Sequence, residues 1–442
     1  MSPTSQKLES ISDRKAARSV LLCGASVRSL AESAIAAGLR PLCVDFFEDA
    51  DLKDLLSSGR GRFVGRLDSF DQLPQVIRSV RKSIPLLWAG GLENHTDVLR
   101  EVSRSRPVIG IVPAIIEQLR DPVTLQSWLS DAAIDSPRLA TENTADATCS
   151  WLRKSVASSG GLGIGRHAHV GRTEAAVSAG TAQTGFHITP AGSRDEIIDK
   201  ADVPASRRFA RSGLHPPDVY LQEYIDGVPM SATFCANESE LELFGMSLQL
   251  IGWPCLGATD FLFCGNIGPV DPGDKVRKQV LEIARVLADR SGIRGVFGID
   301  FVLRQGRVWL LEVNPRLTAS HMLYELQHPG LLVHRHLGAF GWTSKRPQRS
   351  RKSPMSGVLK TPPAVSLRLI FWAREDVCIE GQFAANQSTD TFRFADCPQP
   401  GTVVGKSSPL CSLHIFACDL PSIERILIDF KYGHPEGTSS FD

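Results

Sequence analysis

Two short segments of this 442-residue chain carry a contradiction that any fold must resolve. Val296–Leu303 and Arg307–Val313 are almost continuously apolar and are joined by Gln305-Gly306, so they read as a hairpin whose two faces are both covered. Each nevertheless holds one acid, Asp300 and Glu312. A carboxylate buried among apolar residues is costly unless something neutralises it. A three-residue turn at 305–307 would set Asp300 opposite Glu312, and a two-residue turn would shift the register by one. Asn314 lies two residues beyond Glu312, on the same strand face. Two solutions remain open on these residues alone. A divalent cation could take the Asp300, Glu312 and Asn314 oxygens, a donor set that suits Mg²⁺ or Mn²⁺. Alternatively, an Arg or Lys could pair with each acid.

Upstream, Ser19–Cys23 reads as a buried strand ending at Gly24-Ala25-Ser26, followed by a helical pattern to Gly38 and a second strand closing on Asp45. This strand–helix–strand pattern predicts a parallel sheet with helices, an αβ domain over 17–115 after a flexible tail at 1–16. The Gly24–Ser29 turn could bind an anionic group with help from Arg28, or serve only as a tight turn. Gly90–His95 follows another strand, and Glu93 and His95 there are acid–base candidates. Between 116 and 147 the pattern is helical with breaks at Asp121-Pro122 and Ser136-Pro137. Strands are then expected at Leu152–Val156, Phe186–Thr189, Val219–Ile225, Met230–Cys235 and Leu243–Ile251, with a helix from Lys275 to Arg290. A Ser-, Arg-, Lys- and Pro-rich linker at 341–356 precedes a β-rich unit at 357–442 that carries one late helix, Pro421–Phe430.

Lys154 ends its strand just before Ser158-Ser159-Gly160-Gly161-Leu162-Gly163. Such glycines let backbone amides approach phosphate oxygens, and the lysine adds a point charge. The spacing matches neither a P-loop nor a dinucleotide-binding G-x-G-x-x-G turn. A flexible surface turn is the competing reading.

Taken in order, Lys154 with its glycine loop, the strand Gln222-Glu223-Tyr224-Ile225, Asp300, and Glu312-Val313-Asn314-Pro315-Arg316 resemble the ATP-grasp superfamily. The resemblance implies an α/β and α+β multidomain fold: an N-terminal parallel αβ (pre-ATP-grasp, Rossmann-like) domain, a two-lobed ATP-grasp core over 116–340 and a small β-rich C-terminal unit. The glycine-loop lobe would occupy about 148–230. ATP would lie between the lobes, with Lys154, Ser158, Ser159, Gly160, Gly161 and Gly163 over the phosphates. Gln222, Glu223, Tyr224 and Ile225 would take the adenine. Asp300, Glu312 and Asn314 would ligate Mg²⁺ or Mn²⁺, and Arg316 with Lys154 would stabilise the transferred phosphate. Two departures stand out: Met230 sits where the family commonly has a ribose-binding acid, and Arg120 stands near the place of a second ATP-contacting lysine.

The implied activity is an ATP-dependent ligase joining a small-molecule carboxylate to an amine through an acyl phosphate. The chain also resembles carboligase-like proteins related to biotin carboxylase, some of which accompany biosynthesis of folate-like one-carbon carriers. A bicarbonate-using carboxylase and a non-catalytic regulatory subunit are the alternatives. Self-association as a homodimer through the first domain is implied by the same analogy, and His321 could line an acceptor pocket.

Composition narrows the partners. The charge balances to +1, giving no electrostatic reason to expect nucleic acid or an anionic membrane. The Lys345–Lys352 basic stretch reads as a solvated linker. Ten scattered cysteines without C-x-x-C pairs suit reduced thiols, and Met1–Arg18 lacks an apolar core for secretion. A cytoplasmic location is expected.

Overall fold

The computed structural model describes residues 15–16, 18–57, 59–142, 144–146, 148–167, 219–318, 320–326, 328–344, 364–381, 392–417 and 419–432. The strand expected at Phe186–Thr189 and residues 345–356 of the linker expected at 341–356 lie outside them, while Trp342–Thr343 at the start of that linker pairs in parallel with Lys15–Ala16 at the end of the tail expected at 1–16. Among the described residues, nine cysteines are free thiols, and no helix is long and apolar enough to cross a membrane.

The N-terminal part is a five-stranded parallel sheet in the order Arg62–Arg66, Arg40–Asp45, Ser19–Cys23, Leu86–Trp88, Val108–Ile109. Its central strand, Ser19–Cys23, is buried from Val20 to Cys23, as an apolar run between two covered faces must be. Parallel neighbours require crossovers, and the helix Arg28–Ala36 supplies the first, burying Leu30, Ala31 and Ala34. The helix Pro113–Arg120 spans residue 115, where the first unit was expected to end. Asp121 then caps the next helix, Pro122–Asp131, accepting from the Val123 and Thr124 amides. Pro122 sits at its first position, where a missing N–H costs no helical bond.

A four-stranded antiparallel sheet follows in the order Leu139–Ala140, Val219–Glu223, Trp151–Ser155, Gly165–His167. Leu139–Ala140 precedes the glycine-loop lobe expected at about 148–230, and Val228–Ala236 at its end already belongs to the next sheet.

That sheet has eight strands in the order Arg307–Asn314, Gly295–Arg304, Val228–Ala236, Leu241–Ile251, Phe263–Val270, Val365–Trp372, Pro409–Ala417, Phe392–Ala395. The helix Asp274–Ser291 buries Val276, Val280, Ile283, Ala284 and Leu287, one stripe at helical spacing, and stops at Gly292 in the left-handed region. The C-terminal segment is β-rich as expected, but it is not a sheet of its own. Val365–Trp372 pairs directly with Phe263–Val270, so it, Pro409–Ala417 and Phe392–Ala395 continue the central sheet, while Val377–Cys378 and Val403–Val404 pair with each other apart from it. Sequence patterning marks a strand but leaves its partner open, and here the free edge of Phe263–Val270 is what the late strands complete.

Candidate functional site

The hairpin that carries the two acids turns through Gln305-Gly306, both at positive φ (50° and 74°), with Arg304 paired to Arg307. This two-residue turn is the twist-matched kind that glycine at its second position favours. By itself it would set Asp300 opposite Leu311. A bulge between Asp300 and Phe301 inserts one extra residue on the partner strand and restores the Asp300–Glu312 pair, with Gly298 opposite Asn314. The short turn and the facing acids therefore coexist, an arrangement the sequence reading did not contain.

Asp300 accepts hydrogen bonds from Asn314 Nδ2 (2.9 Å) and Gln249 Nε2 (3.0 Å). Burial and then the neighbouring Glu312 push the Asp300 carboxyl well above the usual carboxylate range. Burial also acts on Glu312, but Lys154 and Arg120 outweigh it and hold this acid below its ordinary value. The protein alone thus leaves Asp300 short of positive charge. A divalent cation would supply it, and the donors at hand, two carboxylates and the Asn314 amide, are all hard oxygens. The residues fit Mg²⁺ or Mn²⁺. Gln249, absent from the sequence reading, was detectable only as a polar residue in the otherwise apolar run Leu248–Ile251.

Lys154 is buried, and its Nζ donates to Gln222 Oε1 (3.1 Å) and lies 3.8 Å from Glu312 Oε2. Gln222 in turn donates to the Leu311 carbonyl (3.2 Å), so the four-stranded sheet is fastened to the acid-bearing strand through this side chain. Glu223 directs its carboxylate elsewhere, to Arg138 at 3.3 Å, and its backbone N–H donates to Arg138 O at 2.9 Å. The Tyr224 ring carries Arg166 at 4.6 Å and meets Phe261 at 6.2 Å, and Ile225 is buried.

The glycine loop is folded down over this region. Phe263 N donates to Gly160 O (2.9 Å), and a Cβ on Gly161, at φ 81°, would collide with the Phe261 carbonyl oxygen. Only glycine can occupy that position. Ser158 donates to Ser155 O, and Arg120 Nη2 donates to the Val156 and Ser158 carbonyls, so Arg120 braces the loop backbone. Gly163 is at φ 77° with open space around it.

Arg316 follows the acid-bearing strand. Its Nε donates to Glu93 Oε1 (2.6 Å) and its Nη2 to Asn314 Oδ1 (3.2 Å). Glu93 also accepts from Ser159 Oγ (3.1 Å) and the Gly91 amide (2.6 Å). Burial alone would raise the Glu93 carboxyl, but Arg316 and Arg120 hold it below its ordinary value. It is therefore a fixed anion that orients Arg316 and tethers the loop, which corrects the expectation of an acid–base residue. His95 packs on Phe70 (4.9 Å between rings), and burial lowers its pKa.

The Gly24–Ser29 turn carried two readings, an anion site or a tight turn. At the Gly24–Ser29 turn, the Asp45 carboxylate accepts from the Val27 and Glu48 amides. Arg28 is buried and paired with Asp396 (3.1 Å), Glu32 (3.1 Å) and Asp51 (3.3 Å). The protein's own acids occupy that turn, as the tight-turn reading has it. Met230 is a core residue, 1% exposed, while the neighbouring Ser231 is paired in register with Asp300 and shares a 2.8 Å hydrogen bond with Ser247.

A family model described as an ATP-grasp domain matches residues 199–320. The fold is similar to that of the Rhizobium etli pyruvate carboxylase, at 12% identity and a TM-score of 0.59, over 92% of this chain but 36% of that one. It is similar to the biotin carboxylase domain dimer of Hydrogenobacter thermophilus 2-oxoglutarate carboxylase, solved with MgADP, ADP and bicarbonate: 12% identity, TM-score 0.58, 90% of this chain and 86% of that one. N5-carboxyaminoimidazole ribonucleotide synthetase from Thermus thermophilus aligns at 11% identity and a TM-score of 0.59, over 95% of this chain and 100% of that one. No curated protein matches by sequence.

Proposed function

From the premise that this chain carries an ATP-grasp domain, we propose that it is an ATP-dependent ligase that activates a small-molecule carboxylate as an acyl phosphate and passes the acyl group to an amine. The observation that carries this reading is the convergence of Asp300, Glu312, Asn314 and Arg316 with Lys154 and Gln222 from the other sheet.

Asp300, Glu312 and Asn314 would hold Mg²⁺, which when bound would neutralise charge on the ATP phosphates. Lys154 contributes a buried ammonium beside them, and the loop from Ser158 to Gly163 covers the phosphates and keeps water out. Gln222 to Ile225 would receive the adenine through backbone groups. A carboxylate oxygen of the substrate attacks the γ-phosphorus, and ADP departs with the bonding electrons of the bridging oxygen. The amine nitrogen then attacks the acyl carbon, phosphate leaves, and the amine proton passes to phosphate or solvent. Arg316, held rigid by Glu93, faces the negative charge of both steps. Positioning and charge neutralisation suffice, and no protein nucleophile is needed.

A second reading is favoured by the neighbours, one of which was solved with bicarbonate and MgADP. In it bicarbonate takes the place of the organic acid and carboxyphosphate that of the acyl phosphate. Measuring ADP release with panels of acids, amines and bicarbonate separates the two. Release that needs an organic acid and an amine supports the ligase, and release on bicarbonate alone supports the carboxylase. Failure of the purified protein to bind Mg-ATP overturns both. A homodimer, as in the neighbour described as a dimer, is testable by sedimentation.

A further inference from the structure

Away from the acid-bearing hairpin, a cavity of about 510 Å³ lies between the helix Arg28–Ala36, the segment 321–329 and the late strands of the central sheet. That size lies within the range of small-molecule sites. One wall is set by strand register. Arg368 pairs with His414, and His414 pairs with Arg393, so three strands present a guanidinium, an imidazole and a second guanidinium side by side. All three side chains line the cavity.

These groups are only partly satisfied. Glu32 takes both terminal nitrogens of Arg393 (2.8 and 3.1 Å), and Asp396 takes Arg368 Nη2 (3.1 Å). Arg368 Nε, Arg393 Nε and both ring nitrogens of His414 are buried without a hydrogen-bond partner among the described residues. Buried polar atoms in native proteins almost always have partners, so unpaired polar atoms on three side chains that line one cavity point to a partner the described residues do not supply. Burial, and then Arg393, Arg28 and Arg368, hold His414 far below its ordinary pKa. The imidazole is thus neutral, with one N–H to donate. The acid Glu325 in the opposite wall is already engaged by Ser33 Oγ and the Leu332 amide.

The rest of the wall is largely apolar, including Ile35, Leu55, Met322, Leu326 and Phe416. His321, five residues beyond Arg316, also borders the cavity and is fixed by Thr318 O at 2.8 Å. The cavity is therefore bordered by the segment that follows Arg316 in the chain.

We propose that this cavity holds the non-nucleotide substrate, an amphiphilic molecule whose non-reacting carboxylate or phosphate sits on Arg368, His414 and Arg393 and whose apolar body lies on Ile35, Leu55 and Met322. The word substrate rests on the ligase reading; the anion site does not.

Calorimetric titration of the full chain with 4-phenylbutyrate, phenyl phosphate and the neutral 4-phenylbutanol tests it, with Mg-ATP titrated in parallel. Both or one of the anions should bind, and which one binds tighter identifies the headgroup. The alcohol, and the variant Arg393→Gln with either anion, should bind at least about tenfold more weakly, the scale of a lost charge-assisted hydrogen bond. Ile35→Trp, which fills the cavity while leaving the arginines intact, should weaken the anions comparably. The proposal is overturned if neither anion binds, if the alcohol binds equally well, or if a folded Arg393→Gln and Ile35→Trp both bind as the parent does. Mg-ATP binding that is absent while the anions bind would overturn the ligase reading alone.

Discussion

Glu93 and Arg316 stand 223 residues apart in the chain and meet at 2.6 Å, joining the N-terminal parallel sheet to the end of the acid-bearing hairpin. The Glu93 side chain is fully buried and that of Arg316 nearly so. Ser159 adds the glycine loop to the same carboxylate. One acid thus sets the orientation of Arg316 and the resting place of the glycine loop.

Removing Glu93 leaves a buried guanidinium uncompensated, which costs about 3–5 kcal/mol in comparable pairs. Glu93→Ala should lose stability on that scale in urea unfolding and should lower ATP turnover. Pairing Glu93→Leu with Arg316→Met should recover much of the stability while leaving turnover low. A Glu93→Ala protein with parental stability would show that the pair is not a structural joint.

The metal-free protein should lose stability as pH rises. Burial and Glu312 push Asp300 up to about 8 from an ordinary value of 3.8, so the folded chain holds this proton more tightly than the unfolded chain does. The penalty is absent below the ordinary value, grows between the two and is complete above the upper one. Melting temperatures across this range in EDTA should fall for the parent and stay flatter for Asp300→Asn. Saturating Mg²⁺ should raise the parent most at high pH. Equal slopes for parent and variant would show that Asp300 is not the group responsible.

Lys154→Met should weaken Mg-ATP binding by about 10–100-fold, the worth of one charge-assisted contact to phosphate. Direct nucleotide titration checks this, with far-UV circular dichroism confirming the sheet. Glu312→Gln should abolish the Mg²⁺ dependence of turnover, and unchanged turnover in that variant would remove Glu312 from the metal site.

His336 provides a separate acid limb. Its Nδ1 accepts from the Val296 amide (2.9 Å), which leaves Nε2 as the donor toward Ile109 O at 3.3 Å. Burial lowers its pKa from 6.5 to about 4, so its contribution is whole above the upper value and is lost as pH falls toward the lower one. His336→Leu should be less stable at neutral pH by about 1–3 kcal/mol, the cost of an unsatisfied buried amide. It should also lose this part of the acid dependence in denaturant titrations, and an unaltered acid limb would assign the effect elsewhere.

The acids Asp300 and Glu312 were legible in the sequence because a charge inside a continuous apolar run is an anomaly on any fold. The lysine before the glycine loop and the Gln222–Ile225 strand were singled out by their resemblance to the ATP-grasp superfamily, since on their own residues a surface turn and an ordinary strand would serve. Glu93 was noticed, but its partner was not, since nothing local links residue 93 to residue 316. For the Gly24–Ser29 turn, the open reading closed once Asp45 and the acids around Arg28 were seen to fill it.

The hairpin itself divides the matter. Its strands, its Gln305-Gly306 turn and its two acids follow from residue patterning, which acts between near neighbours in the chain. The bulge at Asp300 that brings Glu312 opposite, and the late strands that complete the central sheet, follow from packing. A strand's register and partners depend on which faces are covered by residues hundreds of positions away. Burial is settled over the whole molecule, so only the tertiary structure could decide them.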